Sequence, residues 1–332
     1  MSRISRNQFS ALLLITDAFA LFCLMGNISL ITVAGFAAGT ALQFIMAFPI
    51  IRFYSCGGGF GSKWVQIIYF VYLILWGGLL FAMQWDVSQF IYIPYSEGFR
   101  GKLLISGLIA VVCLYISSTG IKTLSRAAVI AAAIGAVCLF IVAVSSLFHA
   151  EWENFSRAES AAGISEEMMK GFVLSGGLGS FVVLLSMTKG KPMKNAAIYF
   201  LEKLILTVVI TVTAIIVAGG IMEAADFPIV TAAQLSQPFP VQRIDSLFLM
   251  IFAIFAVFSI AVQTVTSAYL LGEIFPSFRK LRSTASLVLM IGAAFALHGT
   301  GRYIRIYSFA VAAALLVVPS IMLIQKKIIK GR

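Results

Sequence analysis

Ten long apolar runs follow one another along this chain, each bounded by charges or by Gly and Pro clusters, and that repetition leaves little choice of fold. A run of ~20 apolar residues crosses ~30 Å of hydrocarbon as an α-helix. Inside a bilayer only helices or closed barrels satisfy every backbone N–H and C=O. The runs lie near Gln8 to Met25, Ser29 to Ile51, Val65 to Met83, Leu103 to Ile116 and Ala127 to Phe148, then Gly171 to Met187, Ala196 to Ile221, Leu247 to Leu271, Ala285 to Leu297 and Ile304 to Ile324. Hydrophobic residues make up 61% of the chain and charged residues only 11%, against about 25% charged in ordinary soluble domains. The expected class is an all-α polytopic membrane protein with about ten transmembrane helices, a single transmembrane domain over residues 1–332.

The net charge of +11 does not point to nucleic acid, because the basic residues sit in short clusters between apolar runs rather than on one face. With the N-terminus cytoplasmic, inner loops hold Arg3, Arg6, Arg52, Lys63, Lys122, Arg126, Lys189, Lys191, Lys194, Arg279, Lys280, Arg282, Lys326, Lys327, Lys330 and Arg332. Outer loops hold only Arg100, Lys102, Arg157, Lys170, Arg243, Arg302 and Arg305. That excess on the inner side predicts the orientation. The loop carrying Glu151, Glu153, Glu159, Glu166 and Glu167 is then a soluble, partly helical segment on the outer side. Arg3 and Arg6 ahead of an apolar run have the charge order of a signal peptide. Asp17 interrupts that run and no small-residue cleavage site follows, so the segment reads as a retained first span. Cys23, Cys56, Cys113 and Cys138 are widely spaced with no CxxC pair, which indicates neither a metal nor a disulfide.

Five spans in each half matter, because an odd number inverts the second set relative to the first, an arrangement common in secondary transporters. Residues 8–148 and 171–324 are the candidate repeats. Asp17, beside Thr16, stands ~9 residues into the first span, ~14 Å deep and near the bilayer middle. A carboxylate there costs ~2.5 to 3.5 kcal/mol on insertion scales, so it requires a polar cavity, a partner or a proton. At the matching place in the second set lies Ser175-Gly176-Gly177-Leu178-Gly179-Ser180. Glycine there serves either close helix packing or a broken helix framing a midplane site; its pairing with Asp17 favours the site. In the eighth span Ser259, Gln263, Thr266 and Ser267 share a face at i, i+4, i+7, i+8, a stripe suited to interhelical hydrogen bonds or to ligand.

The candidate ligand-binding set is therefore Asp17, Thr16, Gly176, Gly177, Gly179, Ser180, Ser259 and Gln263. Lys203 is expected to snorkel and Glu202 to pair with a basic loop residue. His149 and His298 fall at outer span ends without an obvious partner. Cys56-Gly57-Gly58-Gly59-Phe60-Gly61-Ser62-Lys63 has glycines, but not the spacing of a phosphate-binding loop, and reads as an inner linker. With no HExxH, GxSxG or aqueous paired-acid motif, neither an enzyme nor a cofactor or metal is indicated.

Ile4-Ser5-Arg6-Asn7-Gln8-Phe9, Gly120-Ile121-Lys122-Thr123-Leu124-Ser125-Arg126-Ala127, and Phe227-Pro228-Ile229-Val230 with Gln242-Arg243-Ile244-Asp245-Ser246-Leu247-Phe248 together resemble the B subunit of spore germinant receptors. These are the GerAB-like endospore germination permeases of the amino acid/polyamine/organocation transporter superfamily. The resemblance implies a LeuT-like five-plus-five inverted repeat, a midplane pocket for an amino acid or similar small solute, and partnership with A and C receptor subunits. It further implies residence in a bacterial cytoplasmic or spore inner membrane. The chain departs from the family pattern in span one, where Ile15-Thr16-Asp17-Ala18-Phe19-Ala20-Leu21-Phe22 lacks the usual glycine break and Leu-Pro pair. That departure leaves Asp17 as a partner for an amine or cation rather than for an amino-acid carboxylate. A proton- or cation-coupled amino acid or amine transporter is the alternative.

Overall fold

The computed structural model describes residues 3–26, 28–60, 62–92, 99–148, 153, 163–219, 225–235, 245–278, 281–297 and 303–330. Helices account for nearly all of them. The first apolar run becomes α1 (Arg6–Phe22), opened by Ser5 and Gln8 in a reciprocal capping box. The second becomes α2 (Leu30–Met46), capped the same way by Ser29 and Thr32, and continues as α3 (Phe48–Ser55) after a kink placed by Pro49. Then come α4 (Lys63–Tyr92), α5 (Phe99–Thr119) and α6 (Ile121–Phe148). Gly120 turns the chain between the last two with φ +86°, a conformation that favours glycine.

The sixth run is two helices, α7 (Ile164–Val173) and α8 (Gly177–Met187), bent by 50° at Leu174-Ser175-Gly176. The chain goes on through α9 (Pro192–Ala218), a short α10 (Pro228–Leu235), α11 (Asp245–Ile274) and α12 (Arg282–Leu297). It ends with α13 (Tyr303–Ala312), a wide π turn (Ala313–Val317) and α14 (Val318–Lys330). Among the described residues six rods, with α2–α3 and α13–α14 each counted as one, are long and apolar enough to cross a bilayer, and the bent pair supplies a seventh. α5 and α12 carry shorter apolar stretches. The molecule is an all-α polytopic membrane protein.

Burial sorts the helices. Every residue of α1 from Phe9 to Phe22 except Leu14 is buried, as is every residue of α8 except Ser186. These two helices form the axis of the bundle. Large apolar side chains on α5 and α6, such as Leu104, Val111, Tyr115, Ile130, Val137 and Phe140, instead lie exposed, which suits a surface solvated by lipid. One end of the axis is pinned by an isolated bridge: Ile4 N donates to Met187 O and Lys189 N to Ile4 O, both at 3.0 Å.

Part of the acidic segment expected to be an exposed loop is not surface. Glu167 is buried in the first turn of α7, bonded to Lys170 at 2.8 Å. α7 lies so close to α2 that a Cβ on Gly35 would stand 2.6 Å from the Glu167 Cβ, and one on Gly39 2.7 Å from Met168 O. Loop length hid this, because α7 begins well before the apolar run that marks the span. His149, His298, Glu151, Glu159, Gln242 and Arg243 lie outside the described residues.

Candidate functional site

A bent helix leaves carbonyls unpaired where it stops and amides unpaired where it restarts. Here three side chains from three other helices take up those groups. At the end of α7, Gln43 of α2 donates from Nε2 to Phe172 O at 2.7 Å and to Gly171 O at 3.3 Å. Inside the break, Gln263 of α11 donates from Nε2 to Gly176 O at 3.3 Å. At the start of α8, Asp17 of α1 accepts from Gly177 N at 3.0 Å. The carboxylate thus sits at a helix N-terminus, where backbone amides and the helix dipole both favour negative charge.

The remaining valences of Asp17 are also filled. Oδ1 accepts from Ser175 Oγ at 2.8 Å, and Oδ2 accepts from the Tyr199 hydroxyl at 2.7 Å. Lys203 Nζ lies 3.6 Å from Oδ1 as an ion pair and donates to Gln43 Oε1 and Ser175 Oγ. Asp17 is 2% exposed and Lys203 3%, so this is a buried, nearly neutral cluster. Ser175 links the two charges directly, donating to the acid and accepting from the amine.

Lys203 therefore does not snorkel. Its stem does not reach toward an interface, because the ammonium finds a carboxylate, an amide oxygen and a hydroxyl at its own depth. The expected Glu202 pairing is also absent: neither carboxylate oxygen has a partner among the described residues, and Oε2 is buried.

The other sequence candidates divide by the face they present. Thr16 turns its hydroxyl back to Leu12 O at 2.8 Å and offers backbone and methyl to Gly176, whose Cβ would meet Thr16 O at 2.7 Å. Gly177 is packed as tightly, since a Cβ there would stand 2.7 Å from Tyr199 Oη and 2.8 Å from Asp17 Oδ2. Close packing and the broken helix are thus both realised by the same glycines. Ser180 faces the Thr266 hydroxyl at 3.4 Å.

Gly179 is the meeting point of a second side. A Cβ there would lie 2.6 Å from Gln263 Oε1 and 2.9 Å from Trp76 Cβ. Gln263 Oε1 and, one turn away on α11, Ser259 Oγ are buried without a hydrogen-bond partner among the described residues, while the buried indole of Trp76 lies edge-on to Tyr72. Buried polar atoms are paired in the great majority of cases, so an orphan acceptor beside the break and an orphan hydroxyl one turn along the same helix are unusual. Tyr72 and Tyr54 frame α8 further along, donating to Leu178 O at 3.1 Å and Val182 O at 3.0 Å.

Gln43, Trp76, Tyr199 and Lys203 are the members that sequence reasoning missed. The described residues contain no group of three or more His, Cys, Asp or Glu able to hold a metal ion.

No family model and no curated protein matches the sequence. Among solved structures the chain is similar to a nucleobase-cation-symport-1 family transporter in a closed conformation with bromovinylhydantoin bound. The TM-score is 0.62 at 16% identity, over 95% of this chain and 76% of that one. It is also similar to a Na+-coupled sialic acid symporter in a substrate-bound, outward-open state. There the TM-score is 0.61 at 13% identity, over 96% of this chain and 74% of the symporter. At such identities the shared property is the fold, that of membrane transporters.

Proposed function

We propose that the chain is a secondary transporter for a small polar solute such as an amino acid or amine. Residues 8–148 and 171–324 form its two inverted halves, and the solute binds at the α7–α8 break. The observation that carries this reading is the pair of buried atoms on α11 left without a partner among the described residues, Gln263 Oε1 and Ser259 Oγ. A solute presenting both a donor and an acceptor satisfies them and removes a desolvation cost of ~1–3 kcal/mol per group.

The Asp17–Lys203 pair defines the coupling. The carboxylate already holds an internal cation, so a solute amine or a metal cation reaches it only by displacing Lys203. The Lys203–Ser175–Asp17 chain makes a proton the natural coupling species, since its transfer discharges both partners without moving an ion through the packed core.

Uptake by purified protein in vesicles tests the reading, after a thermal-shift screen of amino acids and amines has chosen the probe. Accumulation driven by an imposed pH gradient, and lost in Gln263→Leu, supports it. Gradient-independent equilibration at the rate of protein-free vesicles refutes it.

A second reading keeps the same site without flux, a germinant-sensing subunit that passes a conformational bias to A and C partners. The likeness of Phe227–Val230 and Gln242–Phe248 to that family favours it. Ligand stabilisation without uptake, restored to signalling only by companion subunits, is its signature.

A further inference from the structure

A cavity lies on the far side of α9 from Lys203. It measures about 410 Å³ and is walled by α1, α6, α9, α10 and α11, through residues such as Leu14, Ala136, Leu139, Ile210, Ala233 and Phe248. Glu202 and Thr213 are the only polar residues among its described lining. The volume falls in the range of small-molecule sites. The helix surface around it is lipid-facing: Phe140, Leu201, Ile205 and Val209 are all strongly exposed. The cavity is thus reached from hydrocarbon rather than from water.

Glu202 is what an ordinary acyl-chain groove lacks. Ten residues from the start of α9 it stands ~15 Å along the helix, near mid-membrane. Its Oε2 is buried and unpartnered, and neither oxygen meets a donor among the described residues. An isolated carboxylate in an apolar medium is strongly disfavoured, so a carboxyl so placed favours a cationic partner in the cavity over a purely apolar one. Lys203, the next residue, cannot serve as that cation: it is turned to Asp17 on the other face of α9.

We propose that this cavity is a lateral binding site for lipophilic amines, which enter from the membrane, bury an alkyl chain against α6 and α10, and pair their ammonium with Glu202. The site is independent of the α7–α8 break and does not require that transport occur there.

The test uses a diazirine-bearing dodecylamine and the matching dodecanol, photolysed with the intact protein in phosphatidylcholine nanodiscs at equal membrane concentrations. The expected result is labelling of the peptides that hold Ala136–Ala143 and Ile205–Thr213, with the amine exceeding the alcohol by about fivefold, the gain of an ion pair worth ~1 kcal/mol. Glu202→Gln should bring the amine down to the alcohol, and Ala136→Trp, which fills the cavity, should remove both. Equal labelling of the parent by amine and alcohol would mark a plain acyl-chain groove and overturn the proposal, as would amine labelling that survives Glu202→Gln. The parent's amine-to-alcohol ratio decides the matter even if a variant fails to fold. A loss of solute uptake in the vesicle assay leaves this ratio unaffected, so the two proposals fail separately.

Discussion

Replacing Asp17 and Lys203 singly and together separates a coupled ion pair from two independently buried groups. Lys203→Met removes the ammonium, leaves Gln43 Oε1 without its donor and strands Asp17 as a charge held by three uncharged donors. Removing one partner of a buried pair typically costs ~3–5 kcal/mol. Asp17→Asn is milder. Its amide oxygen still accepts from Ser175 Oγ and Gly177 N, and its amide nitrogen can donate to the Tyr199 oxygen, so ~2–4 kcal/mol is expected as charge-assisted bonds become neutral ones. The double variant buries no charge at all, and its loss should fall short of the summed single losses by ~2 kcal/mol or more. Equilibrium unfolding in mixed micelles, followed by tryptophan fluorescence, measures all four corners. Trp76 sits fully buried beside the break and reports its opening. Additivity within ~0.5 kcal/mol would refute the coupling and reduce the pair to coincidence of place.

The same geometry makes further predictions. Gly177→Ala should destabilise by ~1–3 kcal/mol, because the new methyl meets Tyr199, Asp17 and Leu13 O at 2.7–2.9 Å; a thermal midpoint equal to the parent's would show that the break relaxes freely. Tyr199→Phe removes one bond to a carboxylate at 2.7 Å and should cost ~1.5–3 kcal/mol in the micelle unfolding assay, falling to ~0.5–1.5 kcal/mol when made on Asp17→Asn, where the bond lost is a neutral one. Gln43→Leu strands Phe172 O and Gly171 O. It should speed backbone hydrogen exchange across residues 171–177 more than across α9, and uniform exchange would contradict the capping role.

Much of this was legible in the chain, for reasons that differ from residue to residue. The spans were legible because hydrocarbon thickness sets a length that composition must meet. Asp17 and the Gly176-Gly177 break were legible because an acid and a run of glycines are both costly in a span, and costs that persist ask for a partner. Lys203 was misread although a signal existed: of the 24 lysines and arginines it is the one that falls inside an apolar run rather than at an end. Snorkelling is a statement about a single helix, whereas the answer here depended on which helix lay opposite. Gln43 and Trp76 carried weaker signals, since an amide or an indole within a span is common and only the tertiary fold aims it at the break. The start of α7 was hidden because its polar first turn packs on glycines of α2 rather than on lipid.

A closed network of this kind sets the terms on which any solute acts. A ligand shifts a conformational balance only by its difference in affinity for the two states. The state seen here is held by the Asp17–Lys203 pair, by Ser175 between them, and by Tyr199 and Gly177 on the remaining carboxylate valences. On the proposed reading, a solute that pairs with Gln263 and Ser259 while leaving the ion pair intact stabilises the state seen here and traps the molecule. One that displaces Lys203 must first offset ~3–5 kcal/mol of broken pairing, and only that solute drives opening. Two ligand classes follow from one site, stabilisers that leave Lys203→Met binding unchanged and openers that bind Lys203→Met more tightly than the parent. Isothermal titration of both proteins against each screened solute distinguishes them, and uniform weakening by Lys203→Met across all solutes would show that the lysine contacts ligand instead of competing with it.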